Sequence, residues 1–276
     1  MRSLRLSATA LLIAVAIGHA AAQPAEKPAI EIKTRAAEIS VTIEKALKPF
    51  PGLAADLLSE GQRYVAKSRA EADEEYKTNK AWFKEHRWTN ERSYSFRSLV
   101  ADRYVSIVRD DSTYTGGAHP NSRADTILWD KAAKKRISIR PFFTEMADNG
   151  PTMTALAKLV RIAVATEKDE RRRGELSEEE KKQPKPSIEA MVAEDEQLKE
   201  AVQPKLLKIG PISLAPSTVP GKSSGLTFHF SPYDVDAYAA GPYTIFVPWT
   251  DFKSHLSAEG VVIFGGERPE KDKEQL

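Results

Sequence analysis

The chain has no cysteine and five histidines, so proton transfer and nucleophilic attack fall to His, Asp, Glu or Ser. Beyond the first 22 residues the histidines are His86, His119, His229 and His255. No two lie at the i, i+4 spacing that sets zinc ligands on one helix face, and H-E-x-x-H does not occur. We expect no metal and no cofactor. G-K-S-S-G at 221–225 matches the G-x-S-x-G of a nucleophile elbow, which requires a strand before the serine and a helix after it. Here S-T-V-P precedes and the strand-like L-T-F-H-F follows, so Ser223 reads as part of a flexible loop.

His229 alternates with Phe228 and Phe230 and reads as a solvent-side or hydrogen-bonded residue, while His86 packs among Trp82, Phe83 and Trp88. His119 is different, standing in S-T-Y-T-G-G-A-H-P-N at 112–121. Pro120 holds it extended, and Gly116 and Gly117 can reach positive φ. Asp110 to Asp125 reads as a connection longer than an ordinary hairpin loop, a length that tends to carry function or disorder. Tyr114, Thr115, His119 and Asn121 suit a ligand, and they suit the loop's own backbone equally well. An acid–base reading pairs His119 with Asp110 or Asp111, which demands hydrogen-bond reach.

The elements that would position this loop follow from periodicity. Ile39, Val41 and Ile43 alternate as a half-buried strand. Pro51 opens an amphipathic helix with apolar positions at Leu53, Leu57, Leu58, Gly61, Tyr64, Val65, Ala72 and Tyr76. Strands are expected at Arg92–Leu99, Arg103–Arg109, Thr126–Trp129 and Arg136–Ile139. Thr152 or Thr154 caps a helix with Leu156, Leu159, Val160 and Ala163 on one stripe. The charged segment 167–186 reads as a solvated helix end and a loop or mobile insertion, after which Ile188, Met191, Val192, Asp195 and Leu198 restore a helical period.

Ile212–Leu214, Leu226–Phe230 and Tyr243–Val247 are strand-like, Thr250 caps a short helix, and Val261–Phe264 is expected as a last strand before a frayed tail. Strands and helices come in blocks, which implies an α+β fold, mostly antiparallel sheet with long amphipathic helices packed on it.

M-R-S-L-R, an apolar run of about 12 residues and A-A-A make residues 1–22 a signal peptide, too short to span a bilayer at about 20 residues. Cleavage removes Arg2 and Arg5 and leaves 39 basic against 39 acidic residues. A neutral chain gives no reason to expect nucleic acid, and no membrane anchor is expected once the signal is cut. Residues 23–34 read as a leader, 35–265 as the domain (parts about 35–145 and 146–265) and 266–276 as a polar tail.

Tyr114–Asn121, followed by T-I-L-W-D and then I-S-I-R-P-F-F, resembles the extracytoplasmic domain of RsiV-type anti-sigma factors, which sense lysozyme. Related domains of unknown function accompany PdaC-type peptidoglycan deacetylases. F-H-F-S-P-Y-D-V-D-A-Y-A-A-G-P-Y-T-I-F-V-P-W at 228–249 is similar to that family's C-terminal signature. The resemblance implies a periplasmic or secreted binding domain that takes an envelope protein or a peptidoglycan-related ligand and is not itself an enzyme. Tyr114, Thr115, Gly116, Gly117, His119, Asn121, Tyr233, Tyr238 and Gly241 are the candidate ligand contacts. The competing expectation is a wall hydrolase using His119 and a nearby carboxylate.

Overall fold

The structure is a computed structural model that describes residues 26–273. The expected signal peptide lies outside the described residues. The fold is α+β, built on a six-stranded sheet with strand order matching chain order. Its strands are β1 (Ile30–Lys33), β2 (Ala37–Ile43), β3 (Trp88–Val100), β4 (Tyr104–Tyr114), β5 (Asn121–Asp130) and β6 (Lys135–Ile137). Neighbours are antiparallel except β2 and β3, which run parallel. A parallel pair needs a crossover, and α1 (Pro51–Thr78) supplies it.

The crossover packs on one face of the sheet. Leu53, Leu57, Val65 and Ala72 of α1 meet Ile39, Val41, Tyr94, Val105 and Ile107 in one core. Gly61 sits where a Cβ would approach Val41 to 2.8 Å, so the absence of a side chain lets helix and strand come together. At the polar end of the same face Arg92 pairs with Asp111, and Arg109 pairs with Glu60 and Asp125.

The second sheet consists of β7 (Ile212–Leu214), β8 (Gly225–Phe230) and β9 (Tyr243–Pro248), all antiparallel. It meets the other face of the first sheet through backbone. The Leu214 N–H donates to Ser106 Oγ at 2.9 Å, and the Leu214 carbonyl accepts from Ser98 Oγ at 2.7 Å. Two buried serines are thereby satisfied. Helix α2 (Pro151–Glu175) buries Leu156, Val160 and Val164 in the core shared with Phe228, Tyr243 and Ile245. Short helices α3 (Ile188–Glu194) and α4 (Glu196–Ala201) follow, broken at Asp195, whose carboxylate accepts the Leu198 N–H.

Several expectations are corrected. Strand β1 begins inside the stretch read as a leader. The cap of α2 is Gly150, not Thr152 or Thr154, and the Glu145 carboxylate accepts the Thr152 N–H at 2.8 Å. Thr250 lies within α5 (Trp249–Phe252). In the charged segment, Asp169 is buried and pairs with Arg172 and Lys185.

Val261–Phe264 is not a strand: α6 (Ala258–Ile263) occupies it, started by Ser257 Oγ accepting the Gly260 N–H, with Val261 and Val262 left exposed. A β-branched pair gave a strand signal, and a local serine cap overrides it. The tail is ordered through α7 (Glu270–Lys273), because the Asp272 carboxylate is buried against the guanidiniums of Arg97 and Arg268.

Candidate functional site

Residues 110–125 are mostly strand. Hairpin β4–β5 runs in register from Tyr104↔Asp130 to Thr113↔Asn121, leaving only Thr115–Pro120 as the connection. The expectation of a long loop fails because its polar residues alternate across a sheet that is uncovered at this end. Gly116 takes φ +96°, and a Cβ there would lie 3.0 Å from the Trp82 ring, so the turn is seated on that indole. Gly117 also has positive φ, and its carbonyl accepts from Tyr114 Oη at 3.1 Å.

The two sequence blocks meet here. The His119 ring stacks on Tyr238 with centroids 3.6 Å apart and planes 19° apart. Tyr238 Oη donates to the Pro120 carbonyl at 2.9 Å, and His119 Nδ1 lies 3.0 Å from the same oxygen. Tyr233 stands 5.4 Å from Tyr238 and is 58% exposed. Gly241 ends the turn after Tyr238 with φ +72°, its N–H donating to the Tyr238 carbonyl at 2.9 Å. Thr115 is exposed on the turn, and Asn121 opens β5 at the edge of the cleft described next.

Beside this cluster the first sheet is open. A cleft of about 320 Å³ is floored by Ser40, Thr42, Glu91, Ser93, Asp110, Ser112 and Ser122, with Ser231, Pro232 and Pro242 as its wall. The register explains the composition, since Ser93 pairs with Asp110, Glu91 with Ser112, and Ser112 with Ser122. These residues occupy the face opposite α1, beyond the point where β7 covers it. An adjoining hollow of about 380 Å³ is lined by Tyr64, Thr113, Asn121, Arg123 and Asp234. Burial at the cleft floor pushes the Asp110 carboxyl up, and the Asp111 charge adds to the shift.

The acid–base pairing is not formed. Asp111 is held by both Arg92 nitrogens at 2.6 Å on the α1 face, while Asp110 lies on the opposite one. The contact made by the His119 ring nitrogen is to a backbone carbonyl. Among the described residues no group of His, Asp and Glu is placed to hold a metal ion.

Of the two readings of His229 the hydrogen-bonded one holds, whereas Ser223 departs from the expected flexible loop. His229 is buried, not solvent-side, with Nε2 2.8 Å from Ser213 Oγ. Burial pushes its pKa down to about 4, Arg97 adds to the fall, and Asp272 opposes it. Ser, His and Asp thus gather in space, but Asp272 is committed to two arginines and Ser213 is buried. Ser223 is fully buried, and its hydroxyl donates to the Ala215 and Gly225 carbonyls at 3.0 and 2.7 Å. It anchors the start of β8 and no substrate reaches it.

Sequence reasoning missed the hydroxyl-rich cleft. The signal was the alternation of Ser and Thr in β2 to β5, visible only once the strands were known to be adjacent.

The profile of a domain family described as a protein of unknown function, DUF3298, matches residues 146–250. That span runs from the approach to α2 through β9 and includes Tyr233, Tyr238 and Gly241. A solved DUF3298-family protein from Bacteroides fragilis shares the fold: 16% identity, 84% of this chain and 94% of that chain covered, TM-score 0.51. A DUF3298 family protein from Pseudomonas aeruginosa aligns over 84% of this chain and 88% of its own, at 14% identity and TM-score 0.46. No curated protein matches the chain. No helix among the described residues is long and apolar enough to cross a membrane.

Proposed function

We propose that the protein is a non-enzymatic binding domain of the cell envelope, periplasmic or secreted. Its ligand is a wall-related glycan or an envelope protein such as a lysozyme-type hydrolase. The supporting observation is the contact between two sequence blocks far apart in the chain. Tyr114–Asn121 and Tyr233–Gly241 each resemble segments of RsiV-type and PdaC-associated domains. His119 on Tyr238, with the exposed Tyr233 beside them, makes one aromatic surface from both. Aromatic rings with polar edges contribute much contact area at little conformational cost, which suits recognition. Neither carboxylate weighed for hydrolysis bonds to His119: Asp111 is held by Arg92, and the His119 ring nitrogen meets the Pro120 carbonyl.

The test is binding of residues 23–276 to insoluble peptidoglycan and to a lysozyme-type hydrolase, comparing wild type with a Tyr233→Ala, Tyr238→Ala double variant. We expect the double variant to bind at least one of them about tenfold more weakly, a loss of about 1.4 kcal/mol, at nearly unchanged Tm. Equal binding by both proteins would remove this surface from the function.

A further inference from the structure

We infer that the cleft beside the aromatic cluster is a saccharide subsite, taking a neutral or amino-bearing sugar ring of a glycan chain. The assignment rests on the binding reading above and names the ligand class for the same surface.

Three observations carry it. The first is unused hydrogen-bonding capacity. Among the described residues, the hydroxyls of Thr42, Ser93, Ser112 and Ser122 and the carboxylates of Glu91 and Asp110 make no hydrogen bond or ion pair, although all line one cleft. Two neighbouring polar groups do have partners: Ser231 Oγ accepts the Ala124 N–H at 2.9 Å, and Asp111 holds Arg92. Closely spaced free hydroxyls and carboxylates match a polyhydroxylated ligand, whose own hydroxyls donate to carboxylates and exchange both roles with Ser and Thr.

The second is charge. The free ionisable groups of the lining are the carboxylates of Glu91 and Asp110 and the guanidinium of Arg123, whereas Arg92 is already paired with Asp111. Two free carboxylates outnumber that one cation, so a phosphate or a polycarboxylate would meet more like charge than opposite charge there. Neutral sugars meet no such penalty, and an amino sugar gains from it.

The third is the wall. Tyr233 lies between Pro232 and Asp234, which line the cleft and its neighbouring hollow. Its backbone is held at φ +75°, a conformation costly for a bulky side chain. The turn is locked there by Asp234, whose carboxylate accepts the Ser231 N–H at 2.7 Å and whose N–H donates to the Ser231 carbonyl at 3.0 Å. The strained residue gains little burial inside the fold, since its ring stays 58% exposed. An exposed ring carried by the segment that walls the cleft can cover the apolar face of a pyranose while the sugar's hydroxyls meet the floor.

The test is a titration of ¹⁵N-labelled residues 23–276 with a soluble tetrasaccharide of N-acetylglucosamine, followed by amide shifts. A lysozyme-type hydrolase serves as the protein probe in parallel. We expect saturable shifts centred on Asp110, Ser112 and Ser122, and binding about tenfold weaker in Tyr233→Ala and in Glu91→Gln, Asp110→Asn. The paired isosteric changes on the sheet surface keep the fold intact, which the unperturbed spectrum reports. Absence of saccharide shifts, or shifts confined to other faces, overturns the saccharide assignment. If the hydrolase still binds in that case and Tyr238→Ala abolishes it, the binding surface survives with a protein ligand. If neither probe binds, the surface reading falls too.

Discussion

His229 is 6% exposed, bonded to Ser213 and pushed down to about 4, whereas His119 sits on an outer turn with its ring against Tyr238. The buried histidine has the marks usually sought in an active site: a perturbed pKa, a serine at 2.8 Å and a carboxylate close by. It also has no access for a substrate. The half-buried one has an ordinary backbone partner, yet its turn stands beside a cleft of polar groups without protein partners. Perturbation thus follows burial at His229, while the proposed ligand surface is at His119. A pKa shift identifies a site only when a cleft accompanies it.

Separate changes sharpen the contrast between the two regions. The largest effect is expected in the core behind His229. Phe228→Ala removes a fully buried ring shared by β8 and α2 and should cost about 3–5 kcal/mol, measured by urea unfolding. Asp272→Asn leaves Arg97 nearly buried without its main counter-charge and should cost about 3 kcal/mol. A tail that contributed nothing would give no change.

The pH dependence follows from His229. Its folded pKa of about 4 lies below its ordinary 6.5, so the unfolded chain binds the extra proton between those values. The histidine's contribution is complete above about pH 6.5 and is lost as pH falls toward 4, up to about 3 kcal/mol. Unfolding curves of wild type and His229→Gln should therefore converge on acidification, with the difference between pH 7 and pH 4 smaller in the variant. Parallel curves would mean that His229 is not the titrating group.

The smallest effect on stability is expected at the aromatic surface. His119→Ala gives up one stacked pair and should cost no more than about 1 kcal/mol by thermal unfolding. A larger loss would make the stack a brace for the hairpin.

Much of the scaffold was legible because its elements are strongly periodic. Ile39, Val41 and Ile43 and the α1 stripe declared themselves by spacing; Leu53, Leu57, Gly61, Val65 and Ala72 are buried as that spacing implies, whereas Leu58 is exposed. What escaped depended on partners distant in sequence. Asp272 is a charged tail residue until Arg97 comes from β3 to meet it, 175 positions away. Val261 and Val262 have strand propensity but are governed by the Ser257 cap and by Gly260, where a Cβ would lie 2.0 Å from the Phe142 carbonyl oxygen. The candidate residues Tyr114, His119, Tyr233 and Tyr238 were visible as two motifs, but nothing local says that the motifs touch. Ser93, Ser112 and Ser122 looked like ordinary outward strand positions, and only sheet register gathers them into a floor.

Two variants assayed side by side distinguish a working surface at His119 and Tyr238 from one at His229 and Ser213. Tyr238→Ala and Ser213→Ala are measured for Tm and for binding of soluble peptidoglycan fragments and a lysozyme-type hydrolase. The account predicts that Tyr238→Ala loses binding at nearly constant Tm, while Ser213→Ala lowers Tm and binds as wild type below its transition. Loss of binding in folded Ser213→Ala, with Tyr238→Ala unimpaired, would contradict it.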